Sequence, residues 1–372
     1  MSNTKQAHYF FAGGGTGGHI YPAIAVAQRI RKIDPDAAIT FFCSSRPIDT
    51  KILSASGFKS VKLISSGFSL RPDKLIKFIF GFLKSYAIAA GELKEAKRSG
   101  ANIIIIGTGG FVSAPALIAA NKAEIPIAMI NVDSVPGRAN KLLASLAKII
   151  FVQFEYTKKY FKDAAGRVEV AGCPLRESFF AEDKTEAIAR LGLDENKKTL
   201  VITGASSGSV NINSAVTESF GKLARFAEQW QMVHITGAAN FDKVKAEYEN
   251  AEIDAVVLDY CDDMAALLTI ADIVIGRSGA VSIAEYAQSA TASICIPYPY
   301  HKDNHQHINA QQLAHTGGAV IIEDNADTAT RLSEKLLALM ADDAMRNQIA
   351  AAAKTIANPQ AAEQIAEKLV RL

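Results

Sequence analysis

No apolar run in this chain approaches the roughly 20 residues needed to cross a bilayer. The longest, Ile76 to Leu83, is interrupted by Lys77. Cysteine is scarce: Cys43, Cys173, Cys261 and Cys295 are scattered with no C-x-x-C pair, and the first residues lack the charged-then-apolar pattern of a secretion signal. A reduced, cytoplasmic protein is therefore expected. Basic residues are not interleaved with aromatics as a stacking platform for bases requires, so nucleic acid is not an expected partner. The one Asp-x-Asp triplet, Asp34-Pro35-Asp36, follows a helical pattern and reads as a turn. No metal site is expected.

What is present begins with glycine. Phe10-Phe11-Ala12-Gly13-Gly14-Gly15-Thr16-Gly17-Gly18-His19 runs from an aromatic strand into a loop of five glycines and a threonine, and an apolar helical pattern follows from Ile20 to Ile30. Glycines let backbone N–H groups approach an anion with no Cβ in the way, and a helix N-terminus adds its partial positive charge. An imidazole at that point supplies a base. Two better-known glycine loops do not fit. Gly13, Gly15 and Gly18 satisfy G-x-G-x-x-G, but the next strand ends in Ser44-Ser45-Arg46 instead of the acid that would hold a ribose, which argues against a nicotinamide or flavin cofactor. The G-x-x-x-x-G-K-[ST] loop of nucleoside triphosphatases needs a lysine where this chain has His19.

At 372 residues, with 49% hydrophobic and 21% charged, the chain can fill two ordinary cores. The net charge of +2 hides an asymmetry: residues 1–165 carry 22 Lys and Arg against 10 Asp and Glu, a balance of +12, and residues 166–372 carry 18 against 28, a balance of −10. An anionic membrane face is the partner that fits the first half. Leu70 to Lys84 mixes large apolar side chains with Arg71, Lys74, Lys77 and Lys84, as an interfacial amphipathic segment does.

Short β-rich runs alternate with helical patterns, which predicts parallel sheets built from βαβ units. The first series is His8 to Ala12, Ala38 to Cys43, Val61 to Ile64, Asn102 to Ile106, Ile127 to Asn131 and Lys148 to Val152. The second is Thr199 to Thr203, Met232 to Thr236, Ala255 to Leu258, Ile273 to Ile275, Ser293 to Ile296 and Ala319 to Ile322. Between them, Val168 to Arg176 holds Gly172 and Pro174 and reads as a turn and hinge, giving domains at 1–165 and 166–372. Ala341 to Leu372 reads as one or two alanine-rich helices. More glycine loops fall at strand ends, where ligands bind in open α/β sheets: Gly107-Thr108-Gly109-Gly110-Phe111, Gly204-Ala205-Ser206-Ser207-Gly208-Ser209 and Gly276-Arg277-Ser278-Gly279-Ala280, with Glu285 two turns further on. Together they suggest a diphosphate donor bound across an inter-domain cleft.

These loops, with Pro22-Ala23, Gly172-Cys173-Pro174-Leu175-Arg176, Asp262-Asp263-Met264 and His301-Lys302-Asp303 through Gln306 and Asn309, resemble the MurG family of peptidoglycan N-acetylglucosaminyltransferases, in order and spacing over residues 8 to 325. The resemblance implies a glycosyltransferase-B fold: α/β, two Rossmann-like domains with parallel sheets facing a deep cleft, and a C-terminal helix that crosses back to the first domain. It implies an inverting transfer of N-acetylglucosamine from UDP-N-acetylglucosamine to an undecaprenyl-linked muramoyl-pentapeptide at the cytoplasmic membrane face, in cell-wall synthesis. Carried over by motif, Arg176 and the backbone at Cys261 contact uracil and Glu285 takes the ribose hydroxyls. Ser206 with the amides of Ser278, Gly279 and Ala280 holds the diphosphate, and His305, Gln306 and Asn309 lie near the sugar. Thr16, Gly17 and Gly18 fall on the donor side, and Asn213 matches a donor-side residue of unassigned role. Gly14, Gly15, Gly109, Gly110, Phe111 and Asn131 fall on the acceptor side. His19 is the base by residue type, and backbone amides replace a metal at the diphosphate.

The chain also departs from the family. Where the family shows His-Glu-x-Asn after the fifth strand, this chain has Ile130-Asn131-Val132-Asp133, which makes Asp133 a second candidate base. Ala205 replaces a glycine in the diphosphate loop, a change the backbone tolerates where φ is negative. The altered loop leaves open a related UDP-sugar transferase with another lipid or small-molecule acceptor. A UDP-N-acetylglucosamine epimerase or a non-catalytic nucleotide-sugar binder is the reading from other classes.

Overall fold

The computed structural model describes residues 6–64, 71–205 and 207–372. The chain divides into one unit of Met1–Arg176 with Asn358–Leu372 and another of Glu177–Ala357.

The first unit is built on a seven-stranded parallel sheet: β1 (Ala7–Gly13), β2 (Ala38–Ser44), β3 (Lys59–Leu63), β4 (Asn102–Gly109), β5 (Ile127–Asn131), β6 (Ile149–Val152) and β7 (Val168–Val170), in the order β3-β2-β1-β4-β5-β6-β7. Helices α1 (Gly17–Ile33), α2 (Pro47–Ser56), α3 (Pro72–Arg98), α4 (Ser113–Lys122) and α5 (Arg138–Leu143) occupy the crossovers. Strands covered on both faces need apolar residues at every position, which is why β1 and β2 read as nearly continuous hydrophobic runs. Phe10 and Phe11 point to opposite faces and stack on Phe42 and Phe41, with ring centroids 5.3 and 5.1 Å apart. β7 extends this sheet beyond residue 165, pairing Val168 with Ile150. The final helix, Ala361–Val370, belongs to the same unit and packs on α1, burying Ile365, Ala366 and Leu369 completely. Arg29 and Glu363 pair at 3.5 Å beside it, and the Asn358 amide donates to the Ala171 carbonyl at 2.9 Å. Gly172 (φ +77°) lies so close to Asn358 that a Cβ there would stand 2.9 Å from the asparagine Cβ.

The second unit repeats the plan with β8 (Lys198–Thr203), β9 (Trp230–Ile235), β10 (Ala255–Leu258), β11 (Ala271–Gly276), β12 (Ala292–Cys295) and β13 (Ala319–Ile321), all parallel, in the order β10-β9-β8-β11-β12-β13. Leu200, Ile202, Ile273, Ile275 and Ile294 form its core with Trp230, Leu332 and Leu336. In each sheet the strand order reverses once, beside β1/β4 and β8/β11. Loops leaving neighbouring strands diverge there and open a crevice at their carboxyl ends. The four glycine loops singled out in the sequence leave those four strands.

Candidate active site

In the first unit, Thr16 stands at the N-cap of α1 in extended geometry, and His19 lies in the first helical turn, half-buried. Its Nδ1 sits 3.2 Å from the Gly14 carbonyl oxygen and 3.4 Å from Thr16 Oγ1. A carbonyl only accepts, so Nδ1 carries a proton in this contact, and in the neutral ring the lone pair then lies on Nε2. Gly109 (φ +110°) presses its backbone against that ring: a Cβ there would lie 3.0 Å from His19 Nε2 and 3.6 Å from Asn140 Nδ2. Gly110 (φ +81°) packs as closely on Gly14, its Cβ position 2.4 Å from the Gly14 oxygen. Asn140, on α5, donates to Asn131 Oδ1 at 2.9 Å, and Asn131 Nδ2 donates to the Asp133 carbonyl at 2.7 Å. The structure therefore gathers Gly14, Gly15, His19, Gly109, Gly110 and Asn131 at the ends of β1, β4 and β5. Asn131 is buried and shapes the Asn131–Asp133 turn with its amide, while Asp133 is half-exposed and Phe111 is exposed. Arg176 belongs to this unit, with its guanidinium 4.2 Å from the centre of the Tyr21 ring on α1.

The second unit's loops are braced from beneath. Arg277 is buried, donates to the Ile296 carbonyl at 3.0 Å and to Ser209 Oγ at 2.7 Å, and pairs with Asp324 at 2.7 Å. Asn211 donates to the other Asp324 oxygen at 2.7 Å. One enclosed ion pair thus ties the exits of β8, β11, β12 and β13, with Ser209 accepting from its arginine and Asn211 donating to its carboxylate. Ser209 also caps the helix Val210–Thr217 by accepting from Ile212 N at 3.3 Å. Ser278, fully buried, donates to the Gln306 carbonyl at 2.9 Å, and Asn309 Nδ2 donates to the Ser278 carbonyl at 3.3 Å. Gln306 Oε1 accepts from Tyr298 N at 3.0 Å. Gly279 is the N-cap of the helix Ala280–Gln288, which carries Glu285, 8% exposed, at its second turn. Tyr286 on that helix donates its hydroxyl to the Arg277 carbonyl at 3.2 Å, and burial holds its phenol far above the usual range. Cys261 lies in the loop between β10 and the helix Met264–Ile270. Asp303 accepts from His305 Nδ1 at 2.7 Å; burial raises its carboxyl, and the histidine outweighs that and leaves it below the usual range.

One residue, Ala205, adopts a backbone conformation that its sequence reading did not anticipate. Ala205 has φ +62°, the left-handed region, so the condition under which the replacement is tolerated without strain is not met: the loop keeps the glycine conformation without the glycine. Gly208 (φ +72°) beside it cannot carry a side chain, since a Cβ would come 2.0 Å from the Thr236 carbonyl. Asn213 and Asn309 are enclosed, 3% and 0% exposed, and brace loops. Asn213 Nδ2 donates to the Thr236 carbonyl at 3.0 Å while its Oδ1 meets His234 Nε2 at 3.1 Å. Ser206 lies outside the described residues. Sequence reasoning missed Asp49, Asn140 and Asp324. His307 pairs with Glu323 at 3.1 Å, apart from the His305–Asp303 pair, and among the described residues no three His, Cys, Asp or Glu side chains are grouped to hold a metal.

The chain matches the glycosyltransferase family 28 N-terminal domain over residues 9–152 and the family 28 C-terminal domain over residues 199–367. It is 35% identical over 363 residues to a UDP-N-acetylglucosamine–N-acetylmuramyl-(pentapeptide) pyrophosphoryl-undecaprenol N-acetylglucosamine transferase from Caldanaerobacter subterraneus subsp. tengcongensis, covering 96% of this chain and 97% of the relative. The chain belongs to the MurG family. Among solved structures it superposes on Acinetobacter baumannii MurG with a TM-score of 0.74 at 22% identity, over 98% of this chain and 100% of that one. A UDP-N-acetylglucosamine 2-epimerase from Neisseria meningitidis follows the same fold at 0.71 and 13% identity, over 99% and 100%. The MurG family and the epimerases thus share the two-sheet plan, and the fold alone does not separate transfer from epimerisation.

Proposed function

We propose that this chain transfers N-acetylglucosamine from UDP-N-acetylglucosamine to a hydroxyl of the undecaprenyl-diphospho-muramoyl-pentapeptide lipid, with inversion. The observation that carries the proposal is the 35% identity to a named transferase of that reaction over nearly the whole of both chains. The site chemistry fits it. His19 Nε2, with Nδ1–H committed to Gly14, takes the proton of the acceptor hydroxyl. The hydroxyl oxygen then bonds the anomeric carbon, and the carbon–oxygen bond to UDP breaks with its electron pair leaving on the diphosphate. Backbone N–H groups at Ser278, Gly279 and Ala280 and the dipole of the following helix stabilise that departing charge. Glu285 is read as the ribose acceptor, Arg176 and the Cys261 backbone as uracil contacts, and His305 and Gln306 as sugar-side groups. Asn213 and Asn309 position the loops that hold the donor.

The acceptor is a lipid, and the first unit carries a surface suited to meeting one. Ile76, Ile79, Phe80 and Leu83 on α3 are 56%, 47%, 71% and 57% exposed, beside exposed Lys74, Lys77 and Lys84. Leu70, the first residue of this amphipathic stretch, lies outside the described residues. Among the described residues no helix is long and apolar enough to cross a membrane. Peripheral docking on an anionic cytoplasmic face accounts for both observations.

Incubation with UDP-N-acetylglucosamine, with and without the muramoyl lipid, tests the proposal. UDP release that requires the lipid supports transfer. Conversion of the donor without acceptor would make the chain an epimerase, and binding without turnover would make it a carrier. Transfer to a different acceptor would assign the Asn131–Asp133 loop to acceptor choice.

A further inference from the structure

Asp49 has no part in the reading above, yet it is the most completely enclosed acid beside the glycine loop, with 0% of its surface exposed. It lies in the first turn of α2, five residues after the end of β2. One carboxylate oxygen, Oδ2, accepts three hydrogen bonds: from Ser44 Oγ at 2.6 Å, Gly15 N at 2.8 Å and Ser44 N at 3.2 Å. The approach is so close that a Cβ on Gly14 would stand 2.5 Å from that oxygen. Arg46, the N-cap residue of α2, holds the other side of the turn by donating to the Gly15 carbonyl at 2.8 Å.

The Gly15 N–H that Asp49 accepts and the Gly14 C=O that His19 Nδ1–H donates to are the two ends of a single peptide group. We propose that Asp49 is a positioning residue for the transfer reaction, acting through the Gly14–Gly15 peptide to hold the His19 ring and its Nδ1–H tautomer, so that Nε2 faces the acceptor as base. A carboxylate on the N–H end polarises the amide and makes its carbonyl a stronger acceptor, since hydrogen bonds in a chain reinforce one another. The arrangement performs, with one peptide interposed, the work that an acid bonded directly to an imidazole performs elsewhere: it selects the tautomer and stabilises the imidazolium when the proton arrives. The charged and titratable groups facing this carboxylate are Arg46, engaged on Gly15, and Cys43 on β2, whose thiol is pushed up to about 11 by burial first and then by Asp49, and so stays neutral.

The inference rests on the base role given to His19, and its test separates the two. Asp49→Asn keeps the shape and removes the charge. Expected are a fall in kcat on the order of 10- to 100-fold with the donor KM little changed, and a lower apparent pKa on the acid limb of the kcat/KM profile. In a His19→Ala background the same substitution is expected to cost nothing further, because its route to the reaction is gone. Equal losses in both backgrounds would overturn the inference and make Asp49 a fold residue. Nitrogen-15 spectra of the labelled imidazole give a second readout that needs no activity. Nδ1–H as the main neutral form of His19 in the unmodified protein, shifting toward Nε2–H in Asp49→Asn, supports the relay. Nε2–H in the unmodified protein overturns it, and decides the matter even where Asp49→Asn does not fold. Absence of transfer by the unmodified protein would remove the proposed function while leaving the spectra to judge the relay.

Discussion

At the scale of single residues, the proposed transfer turns on the division of labour within one imidazole. Nδ1 of His19 is spent on Gly14, so only Nε2 can receive a proton. His19→Ala is expected to lower kcat by about 100-fold, the usual worth of a positioned base, with donor affinity unchanged. A near-normal rate would pass the role to Asp133. Ala205 supplies a second prediction. A non-glycine residue in the left-handed region costs roughly 1–2 kcal/mol, and glycine pays part of that back in chain entropy. Ala205→Gly is therefore expected to stabilise the second unit by about 1 kcal/mol and raise its melting temperature by about 2–4 °C in calorimetry. An unchanged or lower melting temperature would mean the loop is not strained there. Neither residue's geometry was legible in sequence: a glycine-to-alanine replacement does not announce its φ, and an imidazole does not announce its tautomer.

At the scale of elements, α3 carries two surfaces along one helix. Its C-terminal half buries Ala89, Leu93 and Ala96 in the core, while its N-terminal half leaves four large apolar side chains in the open. Full burial of such side chains is worth about 1.5–3 kcal/mol each, and each nearby lysine adds about 1 kcal/mol against an anionic surface. Phe80→Asp is expected to weaken co-sedimentation with phosphatidylglycerol vesicles by at least about tenfold while leaving soluble donor binding intact. Unchanged sedimentation would remove this helix from the membrane contact. The central strands were readable because parallel strands buried on both faces leave a continuous apolar signature. β7 was not, because Val168-Glu169-Val170 is short, half-polar and followed by Gly172 and Pro174, which read as turn. The helix Ala361–Val370 was readable as a helix, but its partner α1 lies more than 300 residues away in the chain, and local pattern carries no such information.

For the molecule as a whole, two parallel sheets and the glycine loops at their strand ends followed from residue pattern, because glycine is needed wherever backbone must approach a ligand or another strand; the strand order, and with it the reversal points, did not. The braces beneath those loops did not follow. Asp49, Asn140 and Asp324 owe their roles to partners brought near by topology, and nothing adjacent in sequence marks them. The cost of enclosing polar groups also has a global consequence. His234 is buried at 0% exposure between Asn213 and Tyr248, and burial drops its imidazole to about 3. The unfolded chain takes a proton there below about pH 6.5 while the folded protein stays neutral, so stability is lost as pH falls from 6.5 toward 3, by about 1.4 kcal/mol per pH unit. Between pH 7 and pH 5 this site alone is expected to remove about 2 kcal/mol. His234→Phe should flatten the fall in melting temperature over that range, and an undiminished slope would assign the acid sensitivity to other groups.

The measurement that bears most directly on the central claim is the product itself. Purified protein is incubated with UDP-N-acetylglucosamine and the muramoyl-pentapeptide lipid in detergent, and the lipid product is read by mass and by the anomeric signal in proton spectra. One added N-acetylhexosamine, in β linkage from the α-linked donor, with an equal amount of UDP released, is the predicted result of a single displacement with His19 as base. An α-linked product would contradict the one-step mechanism, and an unmodified lipid beside consumed donor would contradict the transfer.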